Sequence, residues 1–134
     1  VGDAGNDTLS GEGGNDSLTG AAGADTLTGG AGSDTFVYAA TAHSFGINQD
    51  TIVGFVSGAD RINLSVIDAN TTNAAGTNDT FQFITGNEAL TKPGQVRYDA
   101  TTGLLEANVN GNSAADLQIQ LAGAPSLLET DIVL

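Results

Sequence analysis

The large apolar residues of the first 37 positions recur at a fixed interval. Leu9, Leu18, Leu27 and Phe36 stand nine residues apart, each flanked by polar or small residues. Four nonapeptides carry the pattern: G-D-A-G-N-D-T-L-S (Gly2 to Ser10), G-E-G-G-N-D-S-L-T (Gly11 to Thr19), G-A-A-G-A-D-T-L-T (Gly20 to Thr28) and G-G-A-G-S-D-T-F-V (Gly29 to Val37). Positions one and four are glycine in every unit, and position six is Asp7, Asp16, Asp25 or Asp34. The first six residues of each unit are turn chemistry, with glycines that accept positive φ and small residues between them. The last three predict a very short strand with one side chain pointing inward. Successive units turn back on each other, so two units make one coil. Units one and three then stack on one edge, and units two and four on the other.

From Tyr38 the period is lost. Residues 41–50 read as a loop. T-I-V-G-F (51–55), a turn at 57–60 and R-I-N-L (61–64) read as a strand pair. Residues 65–69 read as one helical turn, and 70–79, polar and small, as a loop. F-Q-F-I (81–84) alternates as a half-buried strand does. Q-V-R-Y (95–98) and L-L-E-A-N-V (104–109) predict a hairpin, L-Q-I-Q-L (117–121) a further strand, and the tail is apolar. The expected fold is all-β: a parallel β-roll of nonapeptide repeats over 1–37, continuing into an antiparallel, β-sandwich-like cap over 38–134. The cap would cover the open end of the stack, as repeat arrays require.

One inward leucine per nine residues is a thin core, too little to offset the entropy of ordering the turns. Something must bind those turns, and they carry carboxylates and backbone carbonyls. The chain has sixteen acids against three basic residues, Arg61, Lys92 and Arg97, and a net charge of −13. Such a surface repels nucleic acid and anionic membranes and attracts cations. Oxygen ligands without thiolate or imidazole select a hard cation, and flexible oxygen cages favour Ca²⁺ over Mg²⁺. There is no cysteine, so neither a disulfide nor a thiolate site can staple the fold. No apolar run approaches the roughly 18 residues of a membrane span. The chain opens without methionine and inside a repeat, and reads as part of something longer.

Catalytic patterns are sparse. The single histidine, His43, cannot build a three-histidine zinc site, and no G-x-S-x-G elbow occurs. The acids are periodic, which suits ligands better than a glycosidase pair. Gly11 and Gly13 begin a G-x-G-x-x-G spacing, but Asp16 takes its last position and would repel phosphate. The chain itself reads as non-catalytic, and His43 as a surface or cap residue.

The nonapeptides resemble the RTX calcium-binding repeat G-G-x-G-x-D-x-U-x. Beyond them, D-T-F-V-Y (34–38), D-T-I-V-G-F-V-S-G-A-D-R-I-N-L-S (50–65), G-Q-V-R-Y-D-A-T-T-G-L-L (94–105), D-L-Q-I-Q-L (116–121) and D-I-V-L (131–134) are similar to the C-terminal domain of serralysin-type secreted metalloproteases. The resemblance implies calcium held between turns two units apart. One site takes Asp3, Gly5 and Asp7 with Gly20, Ala22 and Asp25; a second takes Glu12, Gly14 and Asp16 with Gly29, Ala31 and Asp34. Gly23 and Gly32 join the set at position four, and Asp50 and Asp60 stand where further sites could close. At least two ions are expected. Position two departs from the family pattern, holding Asp3, Glu12 and Ala21 where glycine is usual, which strains the turn. The family's acidic loop before the penultimate strand is here N-V-N-G-N-S-A-A-D (Asn108 to Asp116), poorer in acids, and no site is expected there.

The same resemblance implies a monomeric module of a secreted, extracellular protein that folds on meeting calcium outside the cell. A type I secretion signal would lie within 117–134, ending at Asp131, Ile132, Val133 and Leu134, and the secretion machinery would be its partner. The parent protein would be a zinc metalloprotease with this as its tail. The competing reading is an adhesion, surface-attachment or substrate-binding module of another type I secreted protein.

Overall fold

The computed structural model describes residues 1–73, 79–84 and 88–134. Each nonapeptide closes with the short strand its pattern predicts: β1 (Thr8–Ser10), β2 (Ser17–Leu18), β3 (Thr26–Thr28) and β4 (Thr35–Val37). Odd units build one sheet and even units the other. β1 pairs parallel with β3, aligning Leu9 with Leu27, and β2 pairs parallel with β4, aligning Leu18 with Phe36.

The ladder does not stop at Val37. β5 (Asp50–Val53) lies parallel to β3, placing Ile52 beside Leu27. β6 (Arg61–Asn63) lies parallel to β4, placing Ile62 beside Phe36. The strand pair expected from 51–55 and 61–64 therefore does not form. The two segments lie in opposite sheets as the next two rungs of the roll, because Asp50-Thr51-Ile52 and Asp60-Arg61-Ile62 keep the spacing of aspartate to inward apolar residue. Residues 65–69 are not helical either; a single turn closes there, with the Ile67 N–H donating to the Leu64 carbonyl at 2.9 Å.

β7 (Gln82–Ile84), β8 (Gln95–Asp99), β9 (Leu104–Asn108), β10 (Leu117–Leu121) and β11 (Ile132–Val133) complete the element order. Two sheets result. The larger sheet has the order β1-β3-β5-β10-β9-β8-β7, and the smaller β2-β4-β6-β11. The expected hairpin is present as antiparallel β8 and β9, and β10 runs antiparallel to β9 on its other side. β10 is also parallel to β5, with Leu121 beside Ile52, so it joins the roll to the hairpin in one sheet. β7 and β11 likewise pair parallel, so the antiparallel part of residues 38–134 is narrower than expected. Among the described residues the only helical segments are 3-10 turns at Thr41–His43, Gly46–Asn48 and Glu129–Asp131. The middle of the expected loop at 70–79 lies outside the described residues.

The core runs between the sheets. It is thin at the first coil, where Leu9 is only partly buried, and thickens toward the C-terminus. Phe36, Ile52, Ile62, Leu105, Leu117, Ile119 and Leu121 are fully buried. Phe36 packs a tilted ring against Phe55 at a centroid distance of 6.1 Å. Ile62 is central to the smaller sheet, between Phe36 on one side and Ile132 on the other. Truncating Ile62→Ala removes contacts to both neighbours, and thermal unfolding in saturating Ca²⁺ should show a loss of about 2–5 kcal/mol. A change within 0.5 kcal/mol would mean that Ile132 does not close this end of the core.

Candidate metal centre

The stacked turns place the aspartates in two columns. Asp7, Asp25 and Asp50 form one; Asp16, Asp34 and Asp60 form the other. Each column is tied by the same contact. The Asp7 N–H donates to Asp25 Oδ1 at 2.8 Å, and the Asp25 N–H to Asp50 Oδ1 at 2.9 Å. On the other side the Asp16 N–H donates to Asp34 Oδ1 at 2.9 Å, and the Asp34 N–H to Asp60 Oδ1 at 3.0 Å. One carboxylate oxygen of each later aspartate therefore braces the coil before it.

The second oxygens differ. Oδ2 of Asp16, Asp25, Asp34 and Asp50 is buried and accepts no well-formed hydrogen bond. An ionised oxygen held so is costly unless a cation or donor meets it. Asp7 Oδ2 accepts the Asp3 N–H at 3.0 Å, and Asp60 Oδ2 accepts the Val56 N–H at 2.8 Å. Asp60 thus spends both oxygens on backbone donors, whereas Asp50, equally buried, leaves one unmatched. Burial pushes the Asp50 carboxyl up to about 7; the Asp25 charge adds to this, against the Asp25 N–H and the Tyr38 hydroxyl, which lower it.

The glycines are explained by close approach. A methyl group at Gly20 would lie 2.1 Å from Asp25 Oδ2, because the carboxylate folds back over its own turn. The equivalent gap at Gly29 is 2.3 Å from Asp34 Oδ2. Gly32, at φ 139, would place a methyl 1.9 Å from the Gly14 carbonyl oxygen. That carbonyl points at the coil above, as the Gly5 carbonyl does toward Gly23. In return the Gly20 carbonyl faces Gly2, and the Gly29 carbonyl faces Gly11. Position-four carbonyls of the earlier turn and position-one carbonyls of the later turn thus converge on the gap between coils.

Other residues expected in the ligand set are already engaged. The Ala22 and Ala31 carbonyls accept the Gly5 and Gly14 N–H groups at 2.7 and 2.8 Å, and the Glu12 carbonyl accepts the Ala31 N–H at 2.8 Å. Each keeps its second lone pair. The side chains of Asp3 and Glu12 are exposed. Among the described residues no group of three acids or histidines converges on one point. Each candidate site combines two carboxylates with carbonyls, an all-oxygen set that fits calcium.

Some braces were not foreseen. Asn6 and Asn15, both at position five, accept the Ala24 and Ser33 N–H groups through Oδ1 at 3.0 and 2.9 Å, one coil later. The repeated Asn-Asp pair in the first two units was the available signal. Position-two strain is visible in the backbone at two of the three expected places: Glu12 has φ 71 and Ala21 φ 77, where unit four has Gly30 at φ 110, but Asp3 is not left-handed.

The loop Asn108 to Asp116 closes on itself. The buried Asn108 donates its amide to the Ala114 carbonyl at 2.7 Å and accepts the Gly111 N–H at 2.6 Å. Asp116 accepts the Val109 N–H at 2.8 Å and the Asn110 amide at 2.6 Å. A carboxylate at 108 could not make the donated bond. His43 ends the first 3-10 turn and is half-buried.

Asp131 has a structural partner set. It accepts Ser57 Oγ–H at 2.6 Å, the Gly58 N–H at 2.9 Å and the Leu128 N–H at 2.9 Å. It therefore fastens the last strand to the turn between β5 and β6. Burial raises its pKa, but Ser57, the two N–H groups and the nearby Arg61 charge outweigh that and hold it below the usual carboxylate range. On the outer face of β8, β9 and β10 lies a hollow of about 500 Å³, lined by Gln49, Arg97, Glu106, Gln118 and Gln120 among others. The Arg97–Glu106 ion pair, at 2.6 Å, forms part of its wall. Among the described residues no helix is long and apolar enough to cross a membrane.

Short parallel strands alternating between two sheets, joined by stacked Gly-Asp turns, define a parallel β-roll. The chain belongs to the family described as Peptidase M10 serralysin C terminal, which it matches over residues 1–134. It is therefore the C-terminal, non-protease part of that family's architecture. Among solved structures it resembles the AlgE6R3 subunit of the Azotobacter vinelandii mannuronan C5-epimerase, with a TM-score of 0.61 and 24% identity. The similarity covers 99% of this chain and 80% of that one, and shows a shared fold. No curated protein sequence matches.

Two consequences can be measured. Ala21→Gly removes a side chain from a left-handed conformation, and should raise stability in Ca²⁺ by up to about 1 kcal/mol. An unchanged or lowered melting temperature would show that position two is not strained. Asp131→Asn should cost about 1.5–3 kcal/mol at neutral pH. Because the native pKa is lowered, Asp131 contributes fully above the ordinary carboxylate range, and the contribution is lost as pH falls through its native pKa. The gap in stability between wild type and variant should therefore close in acid, and a gap that widens there would refute the assignment.

Proposed function

We propose that this chain is a calcium-binding folding and export module, the tail of a secreted serralysin-like protein. The observation that carries the reading is the set of buried, unpartnered Oδ2 atoms on Asp16, Asp25, Asp34 and Asp50. Those of Asp16, Asp25 and Asp34 lie along the turns whose backbone carbonyls face the neighbouring coil. Asp7 and Asp25, with the Gly5 and Gly20 carbonyls, make one site. Asp16 and Asp34, with the Gly14 and Gly29 carbonyls, make the second. Asp25 and Asp50 make a third, and the fully hydrogen-bonded Asp60 makes none.

When bound, calcium supplies the positive charge that lets like-charged aspartates stack. The rest belongs to the chain. Without cation the two columns repel along their length, the thin first coils have little core to hold them, and the chain stays expanded. Extracellular calcium modules bind at roughly 10⁻⁴–10⁻³ M. At tenfold excess over that constant each site adds about 1.4 kcal/mol of stability. Folding is thereby withheld in calcium-poor cytosol and released outside the cell, where a folded monomer cannot slip back through a type I channel. The C-terminal strands 117–134 would be read by that channel while unfolded.

Far-ultraviolet circular dichroism of the full chain tests this. In EDTA the β signal should be weak, and millimolar Ca²⁺ should restore it cooperatively. A complete β spectrum in EDTA would sink the switch. In the same titration Asp16→Ala should lose the ion shared with Asp34 while the Asp7–Asp25 site persists; equal loss on both sides would refute the pairing.

A further inference from the structure

Tyr38 follows β4 and continues its inward alternation after Phe36. It is 1% exposed, and its buried hydroxyl oxygen makes no well-formed hydrogen bond. Asp25 Oδ2 and Asp50 Oδ2 are in the same condition. The three groups lie together: the Tyr38 hydroxyl reaches toward the Asp50 carboxylate, and the Asp25 carboxylate is close to both. A buried phenol beside two buried carboxylates, none of them satisfied, is unfavourable in the protein alone.

The surroundings are built to hold Asp50 still. Its N–H donates to Ser44 Oγ at 2.8 Å, and Ser44 Oγ donates to the Gln118 carbonyl. The Gln118 N–H returns to the Ser44 carbonyl at 2.7 Å. Asp50 therefore sits where the roll meets β10. On the opposite column the corresponding place is taken by the Val56 N–H on Asp60, and no tyrosine is needed.

We propose that Tyr38 is a positioning residue of a cation site at the junction of roll and cap, where Asp25 and Asp50 supply the carboxylates and the Tyr38 hydroxyl orients Asp50 beside the bound ion. The proposal rests on the calcium reading above and adds a side chain that the repeat pattern does not contain. It also marks one of the ions, since this one has a tyrosine against it.

That difference gives the test. The chain has two tyrosines and no tryptophan. In the variant Tyr98→Phe, Tyr38 is the sole chromophore, and Tb³⁺ in place of Ca²⁺ reports its distance through sensitised luminescence. Sensitised emission, displaceable by excess Ca²⁺, is expected; adding Asp50→Asn should abolish it, and adding Asp16→Asn should leave it. Tyr38→Phe should keep the same number of bound Ca²⁺ ions but weaken one by about 2- to 10-fold, the effect of one hydrogen bond. If Tyr98→Phe folds on metal addition by circular dichroism yet shows no sensitised emission, the junction site is wrong and the calcium reading stands. If neither folding nor emission responds to metal, the calcium reading fails and this one with it. An unfolded Asp50→Asn variant would leave the Tyr98→Phe emission and the Tyr38→Phe affinities to decide.

Discussion

The contact on which the rest depends is the backbone N–H of one aspartate donating to the carboxylate of the aspartate one coil later. It repeats in both columns, from Asp7 through Asp25 to Asp50 and from Asp16 through Asp34 to Asp60. It fixes the rise between coils, and so the register that aligns Leu9, Leu27 and Ile52 inside. It also forces like charges into a stack with one oxygen of most members turned inward. Structure and liability arise from the same bond, and the proposed dependence of folding on a cation follows from it.

The liability is not evenly spread. At the first coil the core is thin and the turns are exposed, so there is little besides the ladder to hold the chain. Toward β10 the buried residues multiply, and Leu105, Leu117, Ile119 and Leu121 close against Ile52 and its neighbours. The loop at 108–116 is held by its own amides, and the end of the chain by Asp131 on Ser57 and Gly58. Hydrophobic burial and fully hydrogen-bonded polar groups therefore carry the C-terminal part, while carboxylates with unmatched oxygens carry the N-terminal part.

The roll was legible in the sequence because nine-residue spacing leaves Leu9, Leu18, Leu27 and Phe36 one arrangement in which all point inward. The two further rungs were missed as rungs because their turns change length. Twelve residues separate Val37 from Asp50, and the intervening 3-10 turns erase the period while Asp50-Thr51-Ile52 still keeps the strand chemistry. The hairpin of β8 and β9 and the alternation of β10 were readable from period two. The parallel joining of β10 to β5 and of β11 to β6 was not, since strand partners distant in sequence leave no mark on a single chain. In the candidate site the aspartates and glycines were readable by position. Which carboxylate oxygens remain unmatched was not, because that turns on single N–H groups such as Val56 on Asp60.

That last detail sets the two sides of the roll apart. The column ending at Asp60 finishes on a backbone donor and is complete within the protein. The column ending at Asp50 finishes on an unmatched oxygen beside Tyr38, and it is this column that Ser44 connects to β10. β10, and through it β9, β8 and β7, is thus docked on the column with the unmatched oxygen, whereas β11 docks on the column that is complete. Loading of the Asp50 turn and docking of the C-terminal strands would then be linked equilibria, each favouring the other by the same free energy. On the proposed calcium reading, a cap tied to the roll in this way would do more than cover an open end: a few weak ions in the turns would govern the larger hydrophobic core behind them.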